Sequence, residues 1–143
     1  MALQFLSPLH KASRQISVYL EMPPAEPALS TAEGHVLTYL RSYAPAPIGE
    51  LVRVFGIKQS TFTSMLDRLE QSGWIRREMN PGDRRSFLIH ITDAGRQLAE
   101  EATRVLETLE SDILAHVSPR DVEGFHAVMR AIEQVTRVQL RER

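Results

Sequence analysis

Two groups of polar side chains between residues 59 and 85 have the types and spacing needed for contact with a nucleic acid. The first group consists of short hydrogen-bonding side chains followed by one guanidinium: Gln59, Ser60, Thr61, Thr63, Ser64 and Arg68. The second group is dominated by arginine: Arg77, Asp83, Arg84 and Arg85. Hydroxyl and amide groups can hydrogen-bond to base edges in a major groove, and guanidinium groups bind phosphate. This chemistry is recognition by hydrogen bonds and charge, without the making or breaking of covalent bonds.

An amphipathic helix that ends before Gly73 must present the first group. Its apolar positions recur at i, i+3, i+4 and i+7: Phe62, Met65, Leu66 and Leu69. The polar side chains fall on the other face, and Gly73 can adopt the left-handed conformation that ends a helix. On an isolated helix such a polar face is usually no more than a solvated surface.

A hairpin must present the arginines of the second group. Residues 74–79 and 86–91 are strand-like runs separated by Asn80-Pro81-Gly82-Asp83, a typical turn composition. Arg84 and Arg85 follow this turn directly. A polar-faced helix followed by an arginine-tipped hairpin predicts a winged helix-turn-helix, and this order favours DNA binding over a solvated surface.

The same segment resembles the MarR family of bacterial transcription regulators. The resemblance rests on four short sequences in register: Asp67-Arg68-Leu69-Glu70, Gly73-Trp74-Ile75, Asp83-Arg84-Arg85-Ser86 and Ile91-Thr92-Asp93-Ala94-Gly95. Their order and spacing match the family's recognition helix, wing and start of the following helix. The flanking helices fit the family layout as well, so the resemblance covers nearly the whole chain.

The resemblance implies a homodimer that binds double-stranded DNA, by default as a repressor, and is released by a small aromatic or phenolic effector. It also implies that Asp83 orients Arg85 for insertion into the minor groove, while Arg84 contacts phosphate. One departure concerns the start of the recognition helix. Lys58 stands where the family often has a capping serine, and lysine cannot accept that hydrogen bond. We therefore predict that Ser60 takes over as the cap and shifts the helix start.

The predicted fold is mainly α with a small β hairpin, a winged helix-turn-helix joined to a helical dimerisation region with six helices in all. Before the recognition helix, the predicted helices are 8–20, a second helix that begins at the Ser30–Glu33 capping box, and 48–55. After the wing, a fifth helix runs from Thr92 or Asp93 to about His116, and a sixth helix begins at Pro119. Prolines at 23, 24 and 27 end the first helix. The predicted organisation is one domain over 1–143, with the DNA-binding part over 31–95 and the dimerisation part over 8–22 and 96–143.

The first, fifth and sixth predicted helices carry apolar stripes that the winged helix-turn-helix does not need for its own core. On the fifth helix the stripe has near-heptad spacing: Leu98, Ala102, Val105, Leu106, Leu109 and Ile113. An isolated chain would leave these stripes in water, whereas a twofold-related copy would cover them. The stripes therefore predict a homodimer.

The composition limits the remaining function classes. The 143 residues contain no cysteine, which excludes disulfides and thiol chemistry, and the formal charge of −1 means that a basic patch must be local. No apolar run reaches the length of a membrane span, and the N-terminus lacks a secretory signal. These features predict a cytoplasmic protein without membrane association.

We expect no cofactor, no metal and no enzymatic activity. The five histidines lack the close helical spacing of a ligand set, and there is no phosphate-cradling glycine loop or nucleophile elbow. Two alternatives stay open: a winged helix that contacts a protein, and a ligand-binding helical dimer without DNA binding. Four aromatic residues are candidates for an effector pocket, although core packing is their commoner role: Tyr19, Tyr39, Tyr43 and Trp74.

Overall fold

The computed structural model describes residues 2–22 and 29–138, and within them the chain forms six helices and three strands. The helices are α1 (Leu6–Leu20), α2 (Thr31–Tyr43), α3 (Ile48–Phe55), α4 (Gln59–Gln71), α5 (Asp93–Leu114) and α6 (Pro119–Thr136). The strands are β1 (Ala46–Pro47), β2 (Ile75–Asn80) and β3 (Asp83–Ile91). The predicted fold class is confirmed. The proline-rich break at 23–27 lies outside the described residues.

Local signals in the sequence set the ends of the helices around the recognition helix. The Ser30 hydroxyl accepts a hydrogen bond from the Glu33 N–H at 3.2 Å, and the Glu33 carboxylate accepts one from the Ser30 N–H at 3.0 Å. This reciprocal pair is the predicted capping box at the start of α2. Helix α3 ends at Gly56, which has a left-handed φ of 62°. The turn into α4 follows directly.

The strands form one antiparallel sheet in the order β1-β3-β2. Strands β2 and β3 make the wing, with Ile75 opposite Ile91 and Met79 opposite Phe87. The hairpin turn is tighter than predicted, since only Pro81 and Gly82 separate the strands. The two-residue strand β1 was not predicted because it is short and contains proline, a poor strand signal.

The buried core lies between α2, α3, α4, the first turns of α5 and the sheet. Its apolar members all fall between residues 36 and 99: Val36, Leu37, Tyr39, Leu40, Ala46, Leu51, Phe62, Leu66, Leu69, Ile75, Ile89, Leu98 and Ala99. Three of the four apolar positions predicted for the recognition helix are among them, and Met65 packs at the edge. Described residues of α1 and α6 contribute no fully buried side chain. The winged helix-turn-helix therefore closes its core without them.

The start of α5 is joined closely to the base of the wing. Thr92 caps the helix, since its hydroxyl oxygen accepts from the Gly95 N–H at 3.1 Å and its hydroxyl donates to the Gly73 carbonyl at 2.7 Å. Of the two predicted caps, Thr92 is therefore the one used and Asp93 is the first helical residue. The Thr92 N–H also donates to the Trp74 carbonyl at 3.1 Å.

Helix α6 begins at the predicted Pro119, with a second capping box formed by Ser118 and Asp121. The Ser118 N–H, which donates to the carboxylate at 2.8 Å, and the Ser118 hydroxyl lower the pKa of Asp121. Helix α5 ends at Leu114. Of the helices in the described ranges, none is long and apolar enough to cross a membrane.

Candidate nucleic-acid interface

The recognition helix α4 begins at Gln59, with Lys58 as its N-cap and no capping side chain. The prediction that Ser60 caps this helix was therefore wrong, because Ser60 lies inside the first turn. The Lys58 carbonyl accepts the first helical hydrogen bond, from the N–H of the buried Phe62 at 2.9 Å. Burial of Phe62 fixes the helix register, and the missing side-chain cap does not shift it.

The polar face of α4 is directed to solvent at the end where the helix begins. Gln59, Ser60, Thr61 and Ser64 are exposed, and Thr63 is half-buried. The Ser64 hydroxyl donates to the Ser60 carbonyl at 3.2 Å, and that of Thr63 to the Gln59 carbonyl at 2.9 Å. Their oxygens can still accept hydrogen bonds. The structure thus brings these five predicted residues together on one helical turn and a half.

Arg68, near the other end of α4, has a partner that the sequence pattern did not indicate. Its guanidinium pairs with the carboxylate of Glu33 at the start of α2. The Glu33 side chain is only 3% exposed, whereas that of Arg68 is 63% exposed. One side of the guanidinium therefore ties the recognition helix to α2, and the remainder faces solvent.

Arg77 lies on β2 and faces α4 instead of the tip of the wing. Its Nε is 3.1 Å from the Glu70 carboxylate, and its Nη2 is 2.7 Å from the Asp67 carboxylate. Its backbone N–H also donates to Glu70 at 3.0 Å. The strand register explains this orientation, because Arg77 is opposite the buried Ile89 and so points to the core side of the sheet. The sequence had grouped Arg77 with the direct DNA contacts, but its guanidinium braces the wing against α4.

The same contacts shift the pKa values of the groups that make them. The hydrogen bond from the Arg77 side chain, followed by that from its N–H, lowers the pKa of Glu70. The hydrogen bond to Glu70, assisted by Asp67, raises the pKa of Arg77. Both partners are therefore held in their charged forms, as a brace between two elements requires.

We expect Arg77→Ala to destabilise the protein by about 1 kcal/mol, a value kept low because the carboxylates are partly exposed. The pKa of Glu70 is lower in the folded protein than in the unfolded chain. The stabilisation that the Glu70 carboxylate contributes is therefore present above its pKa in the unfolded chain, and it is lost as the pH falls through its pKa in the folded protein. Urea unfolding at neutral pH and near pH 3 should show the difference between wild type and variant shrinking in acid. Arg76→Ala is the control, since its nearest carboxylate oxygen, on Glu78, is 3.8 Å away. A pH-independent difference, or an equal loss in the control, would contradict the brace.

The tip of the wing presents Asp83, Arg84 and Arg85, all exposed. The Asp83 carboxylate accepts a hydrogen bond from the Arg85 backbone N–H at 3.0 Å. The carboxylate was expected to orient the Arg85 guanidinium, but the contact seen here organises the backbone of the tip. The Gly82 N–H donates to the Asn80 side chain at 3.0 Å, which further fixes the turn. Two guanidinium groups thus project from a locally ordered tip.

A cavity of about 170 Å³ lies between α1, α2 and α5. Apolar side chains make most of its wall, and polar groups from the start of α2 and from α5 complete it. The lining residues include Leu20, Leu29, Ser30, Thr31, His35, Leu98, Glu101, Ala102, Val105 and Leu106. None of the four aromatic candidates lines it. Tyr39 is buried in the core, where its hydroxyl donates to Glu50 at 2.8 Å and its ring packs on Tyr43 and Phe55. Sequence reasoning did not find this cavity, because it is made of ordinary apolar helix positions.

No group of three or more His, Asp or Glu side chains in the described part of the chain could hold a metal ion. His90 instead pairs with Glu78 across the wing at 2.7 Å. The sequence also missed Glu33 and Glu70 as partners of the arginines. Glu33 was marked only as part of a capping box, and Glu70 only as part of a short sequence that resembles the family.

The chain is similar to known proteins in sequence and in fold. Residues 29–87 match the model of the MarR family. The chain is 38% identical over 110 residues to the HTH-type transcriptional regulator PecS of Dickeya dadantii (strain 3937), a match that covers 74% of this chain and 66% of PecS. It is 26% identical over 123 residues to the multiple antibiotic resistance protein MarR of Escherichia coli (strain K12), covering 85% of this chain and 83% of that protein.

Among solved structures, the S. aureus MepR–DNA complex superposes with a TM-score of 0.85 at 18% identity, covering 94% of this chain and 99% of MepR. This likeness shows a common fold. The matched winged helix-turn-helix segment and the identity to PecS lead to one conclusion: the chain belongs to the MarR family of winged helix-turn-helix transcription regulators.

Proposed function

We propose that two copies of this chain bind one segment of double-stranded DNA, each with α4 in a major groove and a wing tip in the adjacent minor groove. The observation that carries the proposal is the exposed polar face of α4 beside an arginine-tipped hairpin, with Arg77 bracing the two elements together. A rigid pair of contacts of this kind can follow the surface of B-form DNA across two grooves. Such a regulator acts in the cytoplasm, where bacterial DNA lies.

The proposed roles of the interface residues follow from their exposure and partners. Four exposed side chains at the start of α4 contact base edges, with Thr63 at the margin: Gln59, Ser60, Thr61 and Ser64. Arg84 contacts phosphate, and Arg85 enters the minor groove from a backbone held by Asp83. Arg68 contacts phosphate with the solvent-facing side of its guanidinium. Arg77 acts as a positioning residue through Asp67 and Glu70.

The proposal needs a dimer, and the exposed apolar side chains of the outer helices support one. Val18 and Tyr19 on α1, Val105 and Ile113 on α5, and Phe125 on α6 are all between 46% and 64% exposed in the single chain. Soluble monomers rarely leave a large contiguous apolar surface in water, and a twofold-related copy would cover these side chains. We therefore assign 31–95 to DNA binding, and 8–22 and 96–143 to dimerisation.

Regulation is proposed to work through the cavity between α1, α2 and α5. Its volume of about 170 Å³ and mostly apolar wall suit one small aromatic or phenolic molecule about the size of benzene. The cavity touches both the dimerisation helices and the capped start of α2, so a ligand there can favour a dimer with differently placed recognition helices. The shift is limited by the ligand's differential affinity for the two shapes, and release of DNA ends repression. Phenol and benzoate are suitable probes: one of them should raise Tm and weaken DNA binding, and Ala102→Phe, which fills the cavity, should abolish both effects.

The test of DNA binding is a fluorescence anisotropy titration of a labelled duplex of random sequence, several helical turns long, at a series of salt concentrations. The proposal predicts binding in dilute buffer that weakens steeply with salt, because arginines displace condensed counterions from phosphates. A winged helix used only for protein contact would show no such binding. Selection of bound duplexes from a random pool then identifies the preferred operator.

A further inference from the structure

Two exposed apolar side chains lie opposite each other on the wing. Met79 on β2 and Phe87 on β3 are paired in register, and they are 57% and 45% exposed. They lie between the base of the wing and its charged tip, and neither belongs to the hydrophobic core. Since neither side chain belongs to the core, both can bury apolar surface against a binding partner.

The pair is on the side of the wing that carries α4. Side chains alternate along a strand, so Met79 shares a face with Arg77, and Phe87 shares it with Ile89. Arg77 binds Asp67 on α4, which identifies this face as the one directed towards the recognition helix. Met79 and Phe87 therefore border the gap between α4 and the tip of the wing.

Along the wing, the pair lies between the helix brace and the tip. Met79 is two residues beyond Arg77 on β2, a step of about 7 Å along the strand. Phe87 follows Arg85 by two residues on β3, next to the register shift that separates the regularly paired part of the wing from its tip. If α4 occupies the major groove and Arg85 the minor groove, the structure that lies between them is the sugar-phosphate ridge that separates the grooves. The apolar surface of that ridge is the C–H face of deoxyribose.

We propose that Met79 and Phe87 form an apolar clamp on the deoxyribose units of one DNA strand, and that this clamp adds affinity that is independent of salt and of base sequence. The inference rests on the proposed function. The neighbouring Arg84 and Arg85 supply the charge that brings the strand to this surface, so the occupant is a polyanion with an apolar face. Burial of apolar surface releases water, whereas phosphate contacts release counterions. The two contributions can therefore be separated by varying salt.

The test compares two double variants of the full-length protein, Met79→Thr/Phe87→Thr and Met79→Val/Phe87→Val. Threonine and valine have nearly the same shape and both favour strands. The two variants therefore differ from each other in the polarity of the wing surface and not in its shape. Both are titrated against the same labelled random-sequence duplex at several salt concentrations. We expect the threonine variant to bind about tenfold more weakly at every salt concentration, with an unchanged salt slope, and the valine variant to stay within about threefold of wild type.

Three results would overturn the clamp. The first is equal affinity of wild type and the threonine variant. The second is a salt slope that falls together with the affinity, because this would show that phosphate contacts were lost. The third is a changed dimer mass in the threonine variant, which would assign the pair to a contact between copies. A wild-type protein that binds no duplex in dilute buffer would instead contradict the proposed function itself, so the two failures are distinguishable.

Discussion

Gly95→Ala is expected to destabilise the protein by about 3 kcal/mol or more, the range of severe overpacking. A Cβ at this position would lie 2.1 Å from the Trp74 carbonyl oxygen and 2.9 Å from the Ile91 side chain. The Trp74 carbonyl cannot easily retreat, because it accepts the Thr92 N–H at 3.1 Å. The glycine is therefore required by the close approach of α5 to the base of the wing, and any side chain there separates the two.

Urea unfolding monitored by circular dichroism measures this effect, with Gly49→Ala as the matched control. Gly49 is also helical and lies outside the proposed dimerisation part, and a Cβ there meets nothing within 4 Å. Because alanine is the better helix former, the control should be stabilised by up to about 1 kcal/mol. A Gly95→Ala protein with the unfolding midpoint of wild type would show that α5 does not pack on the wing as described.

Arg85→Ala is expected to weaken duplex binding by about tenfold or more at low salt, since charge-assisted contacts of this kind contribute about 1.5–3 kcal/mol. Arg85 is exposed at a tip whose backbone is held by Asp83, so loss of its side chain should have little effect on folding. If the contact includes a phosphate, the slope of log K against log[salt] should fall by about 0.9. Anisotropy titrations at four or five salt concentrations measure both quantities.

The control for charge alone is Arg120→Ala, at the exposed start of α6. It removes the same unit of positive charge from a different helix. At physiological salt its affinity should stay within about twofold of wild type, because the Debye length there is about 8 Å. If Arg85→Ala matched this control in both affinity and salt slope, the wing tip would have no place in the interface.

Much of the fold could be predicted because its signals are local. The period of Phe62, Leu66 and Leu69, the capping box of Ser30 and the turn at Pro81-Gly82 each depend on residues within one or two turns of each other. Local patterns also predicted which parts of the candidate interface are exposed, since the polar face of α4 and the arginine tip both face solvent as expected. Their contact with DNA stays a prediction.

Partnerships between distant parts of the chain could not be predicted. Arg68 and Glu33 are 35 residues apart, and the Arg77 guanidinium could have pointed to either side of the wing until the strand register was known. The start of α4 was misplaced for a related reason. A missing side-chain cap is worth only about 1 kcal/mol, less than burial of Phe62, so tertiary packing set the register.

We expect a pair of these chains to present two α4 helices and two wing tips to one duplex. Sedimentation equilibrium of the protein with a duplex selected from a random pool measures the stoichiometry. The expected complex contains one duplex and two chains of 16.2 kDa each. A complex with a single chain, or no complex even in dilute buffer, would contradict this expectation.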